Sequence, residues 1–326
     1  MLLDTFERKH DYLRISLIDN CNFRCTYCMP NEEISFLPHA QLMQVDEIVE
    51  IAKSFVSLGV TKIRLTGGEP LVRKEFAQIC EKLSSLPVEL TLTTNGVLVH
   101  KHIETFRTAG IRSINVSIDT LQKEKFLQIS KRDAFDQVWK NILSLVEHQF
   151  SVKLNVVVMK GINDDEVIDF VRLSEQLPIH IRFIEFMPFD KNAWHKDKVI
   201  RSNDLIEQLE QHFSFIKLKD EKHATAKKYK LLQGLGSFAF ITTMSQIFCS
   251  ECNRMRLTAD GKMKNCLFGK DELDLLQAYR KGEDITDIIK QSVLAKHEKM
   301  GGQFKEISTE TDASMIINRS MIKIGG

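Results

Sequence analysis

The sequence has no surplus of charge of either sign. Its 326 residues include 45 lysines and arginines against 44 aspartates and glutamates, which leaves a formal net charge of +1. Proteins that bind nucleic acid without sequence preference usually carry a clear basic excess. The balance therefore disfavours a general nucleic-acid-binding role, and we expect no nucleic-acid partner.

Long apolar runs are also missing. No stretch approaches the roughly 18 residues that a membrane-spanning helix needs. Residues 1–18 carry charges where a secretory signal peptide would be apolar. The composition, 43% hydrophobic and 27% charged, is that of a soluble globular protein. We therefore expect a cytoplasmic protein without a membrane partner.

The cysteines do not form an even set. There are seven, and six of them fall into two groups of three towards opposite ends of the chain. The odd count and the tight clustering disfavour a disulfide framework. Cys80 stands alone in an apparent amphipathic helix, where we expect a buried, unreactive thiol. The two groups of three remain as candidate metal ligands.

What the sequence does contain is a regular alternation of strand-like and helix-like segments. Helix-period segments such as 46–59 and 134–149 separate most of the strand-like ones. Six strand–helix units in succession imply a parallel sheet covered by helices, either an open doubly wound sheet or a partial barrel. The predicted strands are 13–18, 62–68, 89–96, 113–119, 152–158 and 181–188.

Chemically distinctive residues gather at the predicted strand ends. A three-cysteine loop follows the first strand, GGEP at 67–70 follows the second, and Asp119 ends the fourth. Such ends form the binding site in parallel sheets and barrels. Beyond about residue 200 the alternation fades, and the polar segment 219–230 predicts a boundary. We therefore predict a first domain at 1–220 and a smaller second domain at 221–326.

The first group of cysteines, Cys21, Cys25 and Cys28, has the spacing CxxxCxxC. Three thiolates can hold zinc or an iron–sulfur cluster. Structural zinc would need a fourth ligand, and His39 is the only close candidate in the sequence. A four-iron cluster fits better, because three irons would take the thiolates and the fourth would stay open for a small ligand.

The second group, Cys249, Cys252 and Cys266, also lacks a fourth ligand. It fits a zinc knuckle or a second cluster with one open iron, although no histidine lies within the stretch. Arg254 and Arg256 follow at a spacing that puts both on one side of a strand. Guanidinium groups bind phosphate through paired hydrogen bonds and stay charged, so they indicate a polyanionic substrate.

Two linked motifs resemble those of the radical S-adenosylmethionine enzymes. One is CxxxCxxC with Tyr27 before its last cysteine, and the other is GGEP at the end of the next strand. In GGEP, glycine lets the backbone approach a ligand closely and proline fixes the turn. The resemblance implies a partial (βα)6 barrel of the TIM type. It also implies that S-adenosylmethionine binds the open iron and is cleaved to a 5′-deoxyadenosyl radical.

A longer series of motifs is similar to the GTP 3′,8-cyclases of molybdenum-cofactor biosynthesis, nearly from end to end. It includes CxxCxRxR at 249–256 and a terminal Gly-Gly. The resemblance implies hydrogen abstraction from C3′ of GTP and attack of that carbon on C8 of guanine. Reduction and protonation would then give 3′,8-cyclo-7,8-dihydro-GTP, in the first step of molybdopterin synthesis. An external one-electron donor would supply the electrons.

The same resemblance implies roles for individual residues. It assigns a first [4Fe–4S] cluster to Cys21, Cys25 and Cys28, and a second to Cys249, Cys252 and Cys266. The S-adenosylmethionine site would include Tyr27, Gly68, Ser117 and Met187. The GTP site would include Arg14, Arg64, Thr93, Lys153, Arg254 and Arg256. The residues predicted to be catalytic are Arg254, Arg256 and two glycines of a tail that enters the active site, Gly325 and Gly326.

The pattern of charges supports the GTP assignment independently. Lys62 and Arg64 alternate with Ile63 and Leu65, so two cations share one face of the second strand. A charge inside a small barrel is costly unless it meets a partner, and a triphosphate is such a partner. We therefore predict Lys62 and Arg182, on the second and sixth strands, as further GTP contacts.

Partners and alternatives follow from the resemblance as well. It implies a homodimer, and a downstream cyclic pyranopterin monophosphate synthase that consumes the product. The alternative function is another two-cluster radical enzyme, such as a peptide-modifying maturase, although those usually have more cysteines in the C-terminal region. A zinc-dependent nucleic-acid-binding protein is a further hypothesis, which the charge balance and the GGEP motif oppose.

Overall fold

Strands and helices alternate through residues 12–185 in the order that the sequence predicts. The computed structural model describes residues 1–29, 35–190, 192, 194–220, 222–246, 248–303 and 318–325. Most of the strands end two or three residues earlier than predicted, because the next residues leave the ladder and turn into loops. The first six strands are β1 Tyr12–Ser16, β2 Lys62–Thr66, β3 Glu89–Thr94, β4 Ser113–Ser117, β5 Ser151–Val158 and β6 His180–Glu185.

A helix or pair of helices follows each of the first five strands. The sequence determines where these helices begin. In α1, Val45–Ser57, for example, Gln44 and Glu47 form a capping box at the first turn. None of the helices in the described residues is long and apolar enough to cross a membrane. The first six helices are α1 Val45–Ser57, α2 Phe76–Ser84, α3 Ile103–Thr108, α4 Lys123–Ser130, α5 Phe135–Glu147 and α6 Val167–Gln176.

The remaining elements are shorter, and their strands alternate less regularly with helices. The strands are β7 Phe215–Lys217, β8 Lys227–Leu231, β9 Ser237–Ile241, β10 Arg254–Leu257, β11 Lys262–Lys264 and β12 Leu273–Asp274. The helices are α7 Ser202–Glu210, α8 Leu275–Arg280, α9 Ile285–Leu294 and α10 Met321–Ile324.

All of these strands join one sheet. Strands β1 to β6 pair side by side and parallel, which confirms the predicted α/β class with a parallel core. Strand β10 then pairs parallel with β1, and β9 pairs parallel with β6. The chain beyond residue 220 thus extends both edges of the sheet. The division into domains at 1–220 and 221–326 stays a prediction.

Alternation along the strands separates a hydrophobic face from a polar one. Leu13 and Ile15 of β1 are fully buried and share one apolar cluster with Ile48 and Phe55 of α1. Arg14, between them, points to the opposite face, as the two-residue period of a strand requires. The predicted burial of Cys80 is confirmed, since its side chain is inaccessible and burial raises the pKa of its thiol to about 12.

Gly236 is the point at which the returning chain joins the parallel sheet. It directly precedes β9, and its N–H donates to the Ser174 carbonyl at 2.7 Å. A Cβ atom at this position would lie 2.2 Å from the Ile179 carbonyl oxygen, closer than real atoms approach. Glycine is therefore required for β9 to come alongside the start of β6.

Replacing this glycine tests the packing. Gly236→Ala should lower the free energy of unfolding by about 1–3 kcal/mol, because the backbone around Ile179 must move to admit a methyl group. The measurement is urea unfolding followed by circular dichroism. Leu235→Ala is the matched control, since Leu235 is 63% exposed, and it should change stability by less than about 0.5 kcal/mol. Equal midpoints for the two variants would contradict the close approach.

Candidate functional site

The sheet surrounds a cavity of about 610 Å³. Strands β1 to β6 and β8 to β10 all contribute side chains to its wall, so the sheet must curve around it. This is the arrangement that a partial barrel predicts. Predicted site residues on the wall are Arg14, Cys21, Cys25, Tyr27, Cys28, Lys62, Arg64, Gly68, Thr93, Ser117, Lys153, Arg182, Met187, Arg254 and Arg256.

The first cysteine group forms a tight turn at one end of this cavity. The N–H of Cys28 donates to the Cys25 carbonyl at 3.0 Å, and the Phe23 N–H donates to the Cys21 sulfur at 3.4 Å. Burial raises the pKa of the Cys21 thiol to about 11, and it also raises the pKa values of the Cys25 and Cys28 thiols. Metal coordination deprotonates a thiol outright, so a metal centre held by these three would displace their protons.

The spacing of the potential ligands bears on which metal centre would fit. No group of three thiol, imidazole or carboxylate side chains in the described part of the chain could hold a single metal ion. A zinc ion keeps its thiolates about 2.3 Å from itself and therefore close to one another. A cluster binds each thiolate through a different iron and holds them farther apart. Cys21, Cys25 and Cys28 share one cavity wall, which is compatible with ligands to different irons of one cluster.

The GGEP segment lies directly against the cysteine loop. A Cβ atom on Gly68 would lie 2.4 Å from the Asn20 carbonyl oxygen, so only glycine fits there. The Gly68 N–H donates to the Ile18 carbonyl, and the Glu69 N–H donates to the Asn20 carbonyl at 2.9 Å. The structure thus gives the glycine a role that sequence analysis missed, because it allows two backbone segments to touch.

Glu69 fixes the next loop in turn. Its buried carboxylate accepts hydrogen bonds from the Leu71 N–H, the Thr94 hydroxyl and the Asn95 N–H. Burial raises the pKa of Glu69 to about 7, although these donors oppose the rise. The Asn95 amide then reaches the Cys21 sulfur at 3.8 Å. One carboxylate therefore joins the ends of β2 and β3 to the cysteine loop.

Tyr27 connects the cysteine loop to the opposite strands. Its hydroxyl donates to Asp119 Oδ2 at 2.8 Å, and Asp119 Oδ1 accepts from the Val157 N–H at 2.9 Å. Burial raises the pKa of Asp119 to about 6, although the two donors oppose the rise. Ser117 and Met187 lie on the same cavity wall. Since Gly68 also lines it, the cavity brings together all four residues predicted for S-adenosylmethionine.

Cations occupy matching positions on neighbouring strands. Arg14 of β1 is in register with Arg64 of β2 on one side and with Arg256 of β10 on the other. Arg64 and Arg256 are only 4% and 6% exposed. Burial, followed by the charge of Arg256, lowers the pKa of Arg14 well below its ordinary value. Three guanidinium groups in one row therefore repel one another where water cannot screen them.

Further cations extend this row around the cavity. Burial and the charge of Arg254 lower the pKa of Arg256 to about 10, and burial with Arg64 lowers that of Arg182 to about 10. Burial and Arg182 lower the pKa of Lys153 to about 8. A site in which each cation destabilises the next is built for an anion of high charge.

Two of these cations donate to oxygens that belong to no carboxylate. Arg64 donates to the Leu92 carbonyl at 2.7 Å and to the Tyr12 hydroxyl at 2.5 Å, and Lys153 donates to the Ser113 hydroxyl at 2.9 Å. Arg182 Nε is buried without a hydrogen-bond partner in the described residues. Lys62 differs, because Glu89 binds its ammonium at 2.8 Å.

The second cysteine group lies beside the cavity rather than on its wall. Cys249 and Cys266 adjoin Phe248 and Leu267, which do line the cavity. Burial raises the pKa of the Cys249 thiol, and the charges of Cys266 and Cys252 raise it further, so the three thiols lie within electrostatic range.

The C-terminal tail reaches the row of arginines. The Gly325 carbonyl accepts a hydrogen bond from Arg256 Nη1. At Gly325 the φ angle is +85°, and a Cβ atom there would lie 2.6 Å from the Thr66 hydroxyl, so glycine is required twice over. Gly326 lies outside the described residues.

An ion-pair network holds this tail in place. Arg319 donates to Asp260 at 2.8 Å and to Glu272 at 2.5 Å, and Lys264 lies 3.3 Å from Glu272. The Asn318 amide donates to the Leu267 carbonyl at 2.8 Å. The tail is therefore anchored one turn before the residues that reach the cavity.

Sequence analysis missed several residues of the wall. Tyr12 lies two residues before Arg14 on the same face of β1, which the strand period could have shown. Burial would raise the pKa of Tyr12, but Arg64, Arg14 and Arg254 lower it to about 7. Thr225 accepts from Arg254 and belongs to the polar segment that was predicted only as a boundary. Asn155 carries no motif that marks it.

Two family profiles match the chain. The Radical SAM superfamily matches residues 15–174, and Molybdenum Cofactor Synthesis C matches residues 179–301. Members of the radical S-adenosylmethionine superfamily use an iron–sulfur cluster and S-adenosylmethionine.

Named relatives cover nearly all of the chain. The mitochondrial GTP 3′,8-cyclase of Arabidopsis thaliana is 44% identical over 100% of this chain and 84% of its own length. The GTP 3′,8-cyclase of Desulforamulus reducens is 39% identical over 91% of this chain and 94% of its own length. Molybdenum cofactor biosynthesis protein 1 of Mus musculus is 42% identical over 99% of this chain, which spans only 51% of that longer protein.

Solved structures agree on the fold. Streptococcus suis SuiB has a TM-score of 0.65 over 90% of this chain and 67% of its own, at 14% identity. The same protein bound to S-adenosylmethionine has a TM-score of 0.63 over 86% of this chain and 66% of its own. Taken with the profiles and the relatives, the cysteine loop and the basic cavity show that the chain belongs to the radical S-adenosylmethionine superfamily and, within it, to the family of the GTP 3′,8-cyclases.

Proposed function

We propose that the chain is a radical S-adenosylmethionine GTP 3′,8-cyclase, which converts GTP to 3′,8-cyclo-7,8-dihydro-GTP in the first step of molybdopterin synthesis. One observation carries the proposal: the three-thiol loop and the row of arginines face the same cavity. A radical-generating centre held by the loop would thus share one chamber with a site for a highly charged anion. The named relatives support GTP as that anion.

Cys21, Cys25 and Cys28 would hold the first [4Fe–4S] cluster. When bound, this cluster and S-adenosylmethionine supply a 5′-deoxyadenosyl radical that removes a hydrogen atom from the substrate. The chain would hold the cofactor with Tyr27 and with three further wall residues, Gly68, Ser117 and Met187. Their part is orientation, since a radical is useful only when its target lies within reach.

The cationic row would bind the triphosphate. Arg14, Arg64, Lys153 and Arg182 line the cavity, and the described hydrogen bonds of Arg64 and Lys153 go to carbonyl and hydroxyl oxygens rather than to a carboxylate. A phosphate chain would relieve their mutual repulsion and gain charge-assisted hydrogen bonds. Lys62 would contribute least, because it already pairs with Glu89. Thr93, on the same wall, would add a hydroxyl.

Cys249, Cys252 and Cys266 would hold a second [4Fe–4S] cluster, carried by the proposed second domain at 221–326. Soft thiolate ligands suit iron–sulfur clusters and zinc alike, but no single-ion site exists among the described residues. When bound, this cluster would contribute to binding the guanine base. Arg254 and Arg256, which line the cavity and follow Cys252 in the chain, would hold the substrate.

The glycine tail would complete the active site. Gly325 lies against Arg256 and Thr66, between strands β1, β2 and β10. Gly326, which the resemblance also implies as catalytic, lies outside the described residues. Two residues without side chains can close a crowded cavity against water and leave room for GTP.

Three further properties are proposed on the resemblance alone: an external one-electron donor, a downstream cyclic pyranopterin monophosphate synthase and a homodimer. A cytoplasmic location is proposed on the composition. A peptide-modifying maturase remains the alternative function. SuiB bound to a precursor peptide shares the fold at 14% identity, a likeness of fold alone, whereas the GTP 3′,8-cyclases of the family match 91% or more of the chain.

The direct test is anaerobic reconstitution with iron and sulfide, followed by incubation with S-adenosylmethionine, dithionite and GTP. Mass spectrometry should find a GTP isomer of unchanged mass and altered retention, together with 5′-deoxyadenosine. Arg254→Ala should form little isomer, because a cation of the substrate site is lost. Wild-type protein that makes 5′-deoxyadenosine and leaves GTP intact would contradict the substrate assignment and favour the maturase.

The basic row predicts a selective effect on GTP affinity. Arg182→Met should raise the KM for GTP by about 10- to 100-fold, since hydrogen bonds to a charged group contribute about 1.5–3 kcal/mol. Arg112→Met is the control, because Arg112 is exposed just before β4 and is not on the cavity wall. Steady-state kinetics at constant ionic strength would measure both. An equal KM in the two variants would exclude Arg182 from the site.

Lys153 predicts a pH dependence. Its pKa in the free protein is lowered to about 8 by burial and by Arg182. Below that pH the ammonium can bind phosphate, and above it the amine is neutral, so kcat/KM for GTP should fall as the pH rises through about 8. Lys153→Arg keeps the charge and should move this fall to higher pH. Tyr12 is present in both proteins, so profiles that coincide would contradict the role of Lys153.

A further inference from the structure

A buried lysine lies against the second cysteine group without belonging to the substrate cavity. Lys296 is only 4% exposed. Its Nζ atom is 3.6 Å from the sulfur of Cys252 and donates to the Arg254 carbonyl at 2.9 Å. A buried ammonium is costly unless it meets a negative partner, and neither the GTP site nor the fold alone accounts for it.

Residues from the N-terminal segment hold this lysine in place. Lys296 Nζ lies 3.5 Å from His10 Nδ1, and His10 Nε2 lies 3.0 Å from Asp4 Oδ2. Asp4 in turn accepts from Arg8 Nε at 2.6 Å. Burial and the charge of Lys296 lower the pKa of His10 to about 4, so the imidazole is neutral. Asp4 and Arg8 cancel each other, and within this group the charge of Lys296 remains unbalanced.

The same segment also fixes the two loops that meet at the cysteines. Arg8 Nη1 donates to the Cys249 carbonyl and to the Glu298 carbonyl, both at 2.7 Å. Arg8 Nη2 donates to the His297 carbonyl at 2.9 Å. One guanidinium therefore ties the loop of Cys249 to the residues that follow Lys296. Arg8 therefore fixes the cysteine loop and the segment after Lys296, and with them the position of Lys296 relative to Cys252.

We propose that Lys296 is a positioning residue for the second cluster, whose ammonium donates a hydrogen bond to the Cys252 sulfur and places a fixed positive charge beside the iron. The inference rests on the second cluster of the proposed function. Hydrogen bonds to the sulfurs and the net charge near a cluster set its reduction potential. A positive charge stabilises the reduced cluster, which carries one more electron, so Lys296 makes the cluster easier to reduce and its thiolate ligand harder to lose.

The test isolates the second cluster. A background in which Cys21, Cys25 and Cys28 are all alanine removes the first cluster, and anaerobic reconstitution then loads only the second. Lys296→Met removes the charge at nearly constant length, Lys296→Arg keeps it, and Lys299→Met is the control, since the side chain of Lys299 is 60% exposed. Iron and sulfide content and a redox titration followed by electron paramagnetic resonance are measured on each, without reference to activity.

The expected result is a midpoint potential that is lower in Lys296→Met, by a tenfold change in the reduction equilibrium or more, which is about 59 mV for one electron. This variant should also lose iron faster to a chelator. Lys296→Arg should restore most of both properties, and Lys299→Met should match the parent. If Lys296→Met lacks a native circular dichroism spectrum, the same redox titration is made on Lys296→Gln, and its midpoint potential decides whether the proposal holds.

Two failures would be distinguishable. If the parent background binds no iron and sulfide, the second cluster is absent, and both the proposed function and this inference are overturned. If the parent binds a cluster but Lys296→Met has the same potential and the same iron retention, only the role of Lys296 is overturned. A loss of iron retention that Lys296→Arg does not restore would also contradict it, because packing rather than charge would then explain the effect.

Discussion

The structure depends on how three arginines on adjacent strands are kept together. Arg256, Arg14 and Arg64 stand in one row across β10, β1 and β2, and burial lowers the pKa of the first two. Folding must therefore place like charges side by side in a poorly hydrated space, at a cost that apolar packing on the other face of the sheet offsets. This row of like charges is unfavourable on its own, and a bound anion would offset the repulsion.

The clustering of buried arginines also bears on the role of the nearby carboxylates. Thiols and strongly basic side chains face one cavity, and Glu69 lines it too, but its carboxylate, like that of Asp119, accepts hydrogen bonds from backbone N–H groups of the loops. These carboxylates therefore stabilise the loops and do not neutralise the arginines. Gly68 lets the GGEP segment pack closely on the cysteine loop, and Glu69, the next residue, accepts a hydrogen bond from the Asn95 N–H.

The sequence predicted the parts of this site that local patterns encode. Strand period gave the positions of β1 to β6 and the inward face of Lys62 and Arg64, and cysteine spacing indicated a cluster. What it could not give were pairings between distant segments, because nothing in β9 or β10 shows that they attach to β6 and β1. Thr225 and the place of the second cysteines beside the wall depend on those pairings, and so were not predicted.

The segments near the two ends of the chain show the same limit most clearly. Composition alone would favour disorder for the tail, but Arg319 binds Asp260 and Glu272, and Gly325 then reaches Arg256. Residues 4 to 10 likewise become ordered through Arg8 and its carbonyl partners at the second cysteine group. In both cases a long-range contact of one arginine decides the structure of a whole segment. These segments are therefore ordered by their contacts with the site. Substitutions in the site should change the structure of these segments first.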